Sequence, residues 1–247
     1  MSPLALICIV VILAVGGLSL YVYLPIADAI AKGKVLMTES SPYTQTPTSP
    51  TMTILVMGDS TAVGTGATPG TSVAGRLGAD FPQATITNDS KNGEKLDEFL
   101  RHLQARKDER YDLIVFQIGA NDIVGLTPES KIASELAEAL ALAHTIAKHT
   151  IVMCAGNIGL SPTFRWPLSA LYTARSRTVL ASYATSVATY PEMRYVNLFH
   201  EHGQEIFETD PKRYYALDHF HPSSDGYGVW YVGVRQALVS LSLLSNP

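Results

Sequence analysis
Thr53-Ile54-Leu55-Val56-Met57-Gly58-Asp59-Ser60-Thr61-Ala62-Val63-Gly64 begins as an apolar run and breaks abruptly into a glycine, a carboxylate and two hydroxyls. The run reads as a buried strand, and the break as a tight turn in which Gly58 lets the backbone bend. Ser60 then stands at the strand's carboxyl end. With a helix from Ala62 onward, Ser60 lies near that helix's N-terminus, where free N–H groups and the dipole favour developing negative charge. Two readings fit such a serine: a nucleophile, or a residue that only caps the helix.

The chain around this stretch alternates between strand and helix patterns. Val73, Leu77 and Phe81 fall at helical spacing before Pro82, and Ala84–Asn88 reads as a second strand. Leu96, Phe99, Leu100 and Leu103 form the apolar stripe of a helix from about Glu94 to Lys107. Leu113–Ile118 is a third strand. Pro128, with Thr127 as the expected cap, opens a helix carrying Ile132, Leu136, Leu140 and Ile146 on one side. Thr150–Cys154 is a fourth strand, Leu168–Tyr190 a helix, Tyr195–Phe199 a fifth strand, and Ser224–Leu244 the last helix. His102, His144 and His149 are expected on helical surfaces or ends. This alternation calls for a parallel sheet covered on both faces, with ligands bound beyond the carboxyl ends of the strands.

A chain of 247 residues suffices for one α/β domain and an appendage. A net charge of −4 shows no basic surplus of the kind that binding to phosphate backbones requires, so nucleic acid is not an expected partner. The two cysteines, Cys8 and Cys154, fall in separate apolar runs and offer no disulfide framework. From Pro3 to Leu24 no charged side chain occurs, long enough to cross a bilayer as a helix, with Tyr21 and Tyr23 at its interfacial end. Cleavage as a signal peptide is the rival reading, because Ala27-Asp28-Ala29 and Ala29-Ile30-Ala31 resemble cleavage sites. The apolar run exceeds the usual signal core and no cation precedes it, which favours an uncleaved anchor. Lys32 and Lys34 argue for a cytoplasmic domain on a literal charge count. The expectation is nonetheless an extracytoplasmic one, because a short tail followed by a Thr/Ser/Pro-rich tether resembles many exported, anchored enzymes. That tether, about Thr38 to Thr51, is expected to be extended and solvated. The resulting organisation is a membrane helix over 1–25, a linker over 26–51 and a folded domain over 52–247.

Chemistry-bearing residues collect at the expected carboxyl ends: Gly58-Asp59-Ser60, then Asn88-Asp89-Ser90-Lys91-Asn92-Gly93, then Gly119-Ala120-Asn121-Asp122, and finally Asp218-His219-Phe220-His221-Pro222. Each alone is ordinary loop chemistry. In this order, on this alternation, they resemble the GDSL esterases, also called SGNH hydrolases, from about Thr53 to Gly228. The resemblance implies a three-layer α/β/α, flavodoxin-like fold around a five-stranded parallel sheet. It also implies a serine esterase or lipase that uses no cofactor. Ser60 would be the nucleophile, His221 the base that takes and returns its proton, and Asp218 the group that orients the imidazole. The backbone N–H groups of Ser60 and Gly93 and the amide of Asn121 would hold the oxyanion. Asp59 and Asp122 would brace their loops. Thr61 stands where the family's name-giving pattern has Leu, and is similar in this to some carbohydrate acetyl esterases.

Other readings remain at this point. His200-x-His202 and His219-x-His221 with Asp218 could supply zinc ligands, but zinc leaves Ser60, Gly93 and Asn121 unexplained. Gly64–Gly70 lacks the spacing of a dinucleotide cradle and reads as a loop beside Ser60. The same residues would serve acyl transfer to an alcohol, and a silent, membrane-tethered binding module is a third possibility. Phe164 and Trp166, in the loop after the fourth strand, either line an acyl or sugar pocket or only pack the loop down. The substrate that the resemblance implies is an ester of a small molecule, lipid or acetylated carbohydrate.

Overall fold
The computed structural model describes residues 2–245, so Met1, Asn246 and Pro247, at the ends of the expected membrane and folded segments, lie outside the described residues. Along the chain come α1 (Pro3–Glu39), β1 (Met52–Gly58), α2 (Ser60–Val63), α3 (Val73–Asp80), β2 (Ala84–Asn88), α4 (Leu96–Ala105) and β3 (Tyr111–Gln117). They are followed by α5 (Ala120–Val124), α6 (Glu129–Ile146), β4 (Ala147–Met153), α7 (Leu168–Val187), β5 (Met193–Val196), α8 (Pro211–Tyr214) and α9 (Ser224–Ser240). All strand pairs are parallel, in the order β2-β1-β3-β4-β5. That order reverses between β1 and β3, where a doubly wound sheet opens a crevice for ligands.

Pleating explains why β1 is apolar throughout: Leu55 and Met57 enter one buried cluster with α4, α6 and α7, while Ile54 and Val56 enter the other with α3 and α9. Gly58 ends the strand at φ 149, and a Cβ there would lie 1.9 Å from the Gln117 carbonyl oxygen, so the neighbouring strand excludes any side chain.

Several expected boundaries shift. Thr127 does not cap α6; Pro128 takes that position, and its fixed φ presets the first turn. β4 starts earlier, at Ala147, directly after α6, so His149 is a strand residue and not a helical one. β5 stops at Val196 because the Asn197 side chain accepts the Phe199 N–H at 3.0 Å and turns the chain out of the sheet.

The largest differences lie before β1. α1 does not end near Leu24; it runs through Pro25 to Glu39. Proline removes one helical N–H and frees the carbonyl four residues back. Here that carbonyl, on Tyr21, accepts Arg165 Nη1 at 3.2 Å, and the guanidinium lies 4.6 Å from the Tyr21 ring centroid. Beyond Pro25, Ala29 and Gly33 are buried against the domain, whereas the apolar stretch before it is uncovered. The expected solvated tether is also partly replaced by structure. Thr38 and Glu39 are helical, and Gln45 pairs with Ile86 on the free edge of β2. Its Nε2 donates to the carbonyls of Phe81 and Ala84 at 2.9 and 2.8 Å. An edge strand presents unpaired polar groups, and Gln45 answers some of them.

Candidate active site
Asp59 shapes the turn after β1: its Oδ1 accepts the N–H and the hydroxyl of Thr61 at 2.9 and 2.8 Å, which starts α2 at Ser60. Thr61, which departs from the family pattern, thus donates twice to Asp59, the residue that caps α2. Burial pushes the Asp59 carboxyl from 3.8 up to about 6, against the opposing bonds from Thr61.

Asp218 and His221 lie on a tight loop closed by the Tyr215–Pro222 bridge. Asp218 Oδ1 accepts the N–H groups of Phe220 and His221 at 3.1 and 3.0 Å, and its Oδ2 lies 2.5 Å from His221 Nδ1. Burial raises the Asp218 carboxyl, but the hydrogen bond and charge of His221, with those two N–H groups, outweigh it and hold the group below its ordinary value. An ionised carboxylate only accepts, so the ring proton lies on Nδ1 and Nε2 is left as an acceptor. His221 Nε2 lies 2.8 Å from Ser60 Oγ.

Asn121 follows β3 at the start of α5, and its Nδ2 donates to the Glu94 carbonyl at 3.0 Å. The Glu94 side chain is buried against His102, and burial pushes its carboxyl up to about 8. Gly93 has φ 80, with nothing within 4 Å of where a Cβ would stand. The loop before it is fastened from two sides: Asn92 accepts the Thr65 hydroxyl at 2.8 Å, and its amide donates to the Met37 carbonyl of α1 at 3.3 Å. Asp122 Oδ2 accepts the N–H of Leu96 at 2.9 Å and so ties α5 to the start of α4.

Ser60, Gly93, Asn121, Asp218 and His221 all line one cavity of about 320 Å³. A narrow recess of about 50 Å³ shares Ser60, Asn121, Phe220 and His221 with it and adds Asn157 and Glu205. Phe164 lines the larger cavity, 4.5 Å from the Tyr172 ring centroid and 6.0 Å from that of Phe220. Trp166 is not drawn in; it is 66% exposed and lines neither space. Of the four histidines weighed for zinc, His221 is engaged as described and His202 lies 2.5 Å from Glu208. What sequence reasoning missed is α1: Ile26, Ala29, Gly33 and Met37 also line the cavity. Small residues one turn apart at 29 and 33 were the available signal.

The family profile described as GDSL-like Lipase/Acylhydrolase matches residues 56–229. The chain belongs to the GDSL-like lipase/acylhydrolase family. Its members hydrolyse ester bonds, and the chain is an enzyme of that class. No curated protein matches its sequence. Solved structures share the fold. A lipolytic G-D-S-L protein from Veillonella parvula superposes with a TM-score of 0.59 at 18% identity, over 76% of this chain and 98% of its own. An acetyl-xylooligosaccharide esterase from Geobacillus gives 0.52 at 19% identity, over 81% and 98%. A salicylyl-acyltransferase of a tetracycline biosynthetic pathway gives 0.56 at 15% identity, over 81% and 57%.

Proposed function
We propose that the chain is a membrane-anchored serine esterase in which Ser60, His221 and Asp218 act as a triad. The observation that carries this reading is the continuous hydrogen-bonded line from Ser60 Oγ through His221 to Asp218, with spacings of 2.8 and 2.5 Å. Ser60 attacks the ester carbonyl as its proton passes to His221 Nε2, and Asp218 stabilises the imidazolium that results. The carbonyl oxygen becomes an oxyanion and is held by the N–H groups of Ser60 and Gly93 and the second N–H of the Asn121 amide. His221 then returns the proton to the leaving alcohol, and the reverse sequence with water releases the acid and restores Ser60. Two recesses meeting at Ser60 suit an ester, whose acyl and alcohol parts depart in different directions.

Turnover of p-nitrophenyl acetate by the full chain, abolished in Ser60→Ala, is the expected result; activity surviving in that variant removes the reading. The narrow recess also gives an alcohol acceptor a place beside Ser60, which supports acyl transfer as the second reading. Product analysis with and without added alcohols separates the two.

The anchor is the uncleaved α1. Supporting this, signal cleavage after Ala29 would remove Ile26 and Ala29 from the wall of the cavity. The domain is read as facing outward, and protection of the intact chain from added protease in sealed cells would contradict that side.

A further inference from the structure
The part of α1 beyond Leu24 supplies one wall of the space that opens on Ser60 and His221, through Ile26, Ala29, Ile30, Gly33 and Met37. Val124, Phe164, Tyr172 and Phe220 face it. The lining is largely apolar; its polar side chains are Ser60, Asn121, Thr163, Asp218 and His221 from the domain and Lys34 from α1. The small residues let the helix come near: a Cβ on Gly33 would lie 3.2 Å from Asp218 Oδ2, a tight contact that would press on that carboxylate.

An acetyl group uses little of such a space. At about 30 Å³ per water-sized or methylene-sized group, the 320 Å³ cavity holds on the order of ten. Each methylene taken out of water adds about fourfold to transition-state binding. The wall also begins near the uncovered apolar stretch, since Ile26 lies about 3 Å along the helix axis from Leu24. From these relationships we infer that the face of α1 carrying Ile26, Ala29, Gly33 and Met37 is part of the acyl-binding site, and that the substrate is an ester of a medium or long acyl chain drawn along α1 from a lipid layer. This rests on the serine-esterase reading.

The test uses the full chain in phospholipid nanodiscs and the ratio of kcat/KM for p-nitrophenyl decanoate to that for p-nitrophenyl acetate. The wild type is expected to favour decanoate at least tenfold. Ala29→Phe, which fills the cavity, lowers the ratio about tenfold. Ala31→Phe, on the opposite side of α1, leaves it unchanged. Where Ala29→Phe fails to fold, Ile26→Asn places an amide in the same half-buried wall and gives the same fall. A wild type that prefers acetate, or a folded Ala29 or Ile26 variant with the wild-type ratio, overturns the inference while the esterase reading stands. If no Ser60-dependent turnover occurs at all, the esterase reading falls on its own. Binding of dansyl-undecanoic acid, lost in Ala29→Phe, then supports the apolar site, and no binding overturns it.

Discussion

Asp218 holds His221 at two points: one carboxylate oxygen lies 2.5 Å from the ring Nδ1, and the other accepts the backbone N–H of the same histidine at 3.0 Å. The first contact fixes the ring and the second fixes the loop that carries it. Asp218→Asn keeps an oxygen for the backbone N–H groups but presents the wrong partner to Nδ1. Its thermal unfolding should therefore stay near that of the wild type while kcat falls about 10⁴-fold. Stopped-flow esterase assays beside circular-dichroism melts check both halves.

Asn121→Ala removes the proposed side-chain oxyanion donor together with the bond to the Glu94 carbonyl. The expected loss in kcat is about 100- to 1000-fold, with KM little altered. A loss confined to KM would place Asn121 in ground-state binding instead.

The Asp59 carboxyl is raised by burial from 3.8 to about 6, so the fold favours its protonated form. Its contribution to stability is fully present below about pH 3.8 and is lost as the pH rises through about 6. The loss is on the order of 3 kcal/mol. Asp59→Asn stays neutral and keeps an oxygen for Thr61. Melting curves should show the variant gaining on the wild type between pH 4 and pH 8, and a gap that does not vary with pH would refute the assignment.

Arg165 donates to the Tyr21 carbonyl that Pro25 leaves without a helical partner. Arg165→Met should cost about 1 kcal/mol, because the freed carbonyl loses its donor. In a Pro25→Ala background, where the helix supplies its own N–H, the same change should cost less. A double-mutant cycle measured by thermal unfolding gives the coupling, and simple additivity would deny it.

Phe164→Ala should alter the chain-length profile of ester hydrolysis, since Phe164 lines the cavity. Trp166→Ala should leave that profile as it is, because Trp166 is 66% exposed and lies outside it. Rates across a series of p-nitrophenyl esters decide between them.

The doubly wound sheet was legible because its strands are buried runs of β-branched and apolar residues cut by glycine and polar loops; β2 was read to its observed ends, Ala84 and Asn88. The residues that meet at Ser60 were legible through their order at the strand ends, although the sequence separation of 161 from Ser60 to His221 gives no distance by itself. Trp166 misled because an aromatic in a loop near the strand ends reads the same whether it turns inward or outward. The true extent of α1 was hidden because the expected span was drawn from the charge-free apolar run, which ends at Leu24 and gives no reason to continue the helix past Pro25. What carries the helix past it is a donor from Arg165, 144 residues away, and no local pattern records that.

The latch of Arg165 on Tyr21 and the seat of Gly33 beside Asp218 fix α1 to the domain at two separate heights. With the apolar stretch in a bilayer, domain and span then turn as one rod with no swivel between them. A thicker or thinner bilayer changes the tilt that the span adopts. The roof over Ser60 belongs to the same rod, so turnover in vesicles of different lipid length becomes a gauge of the membrane itself.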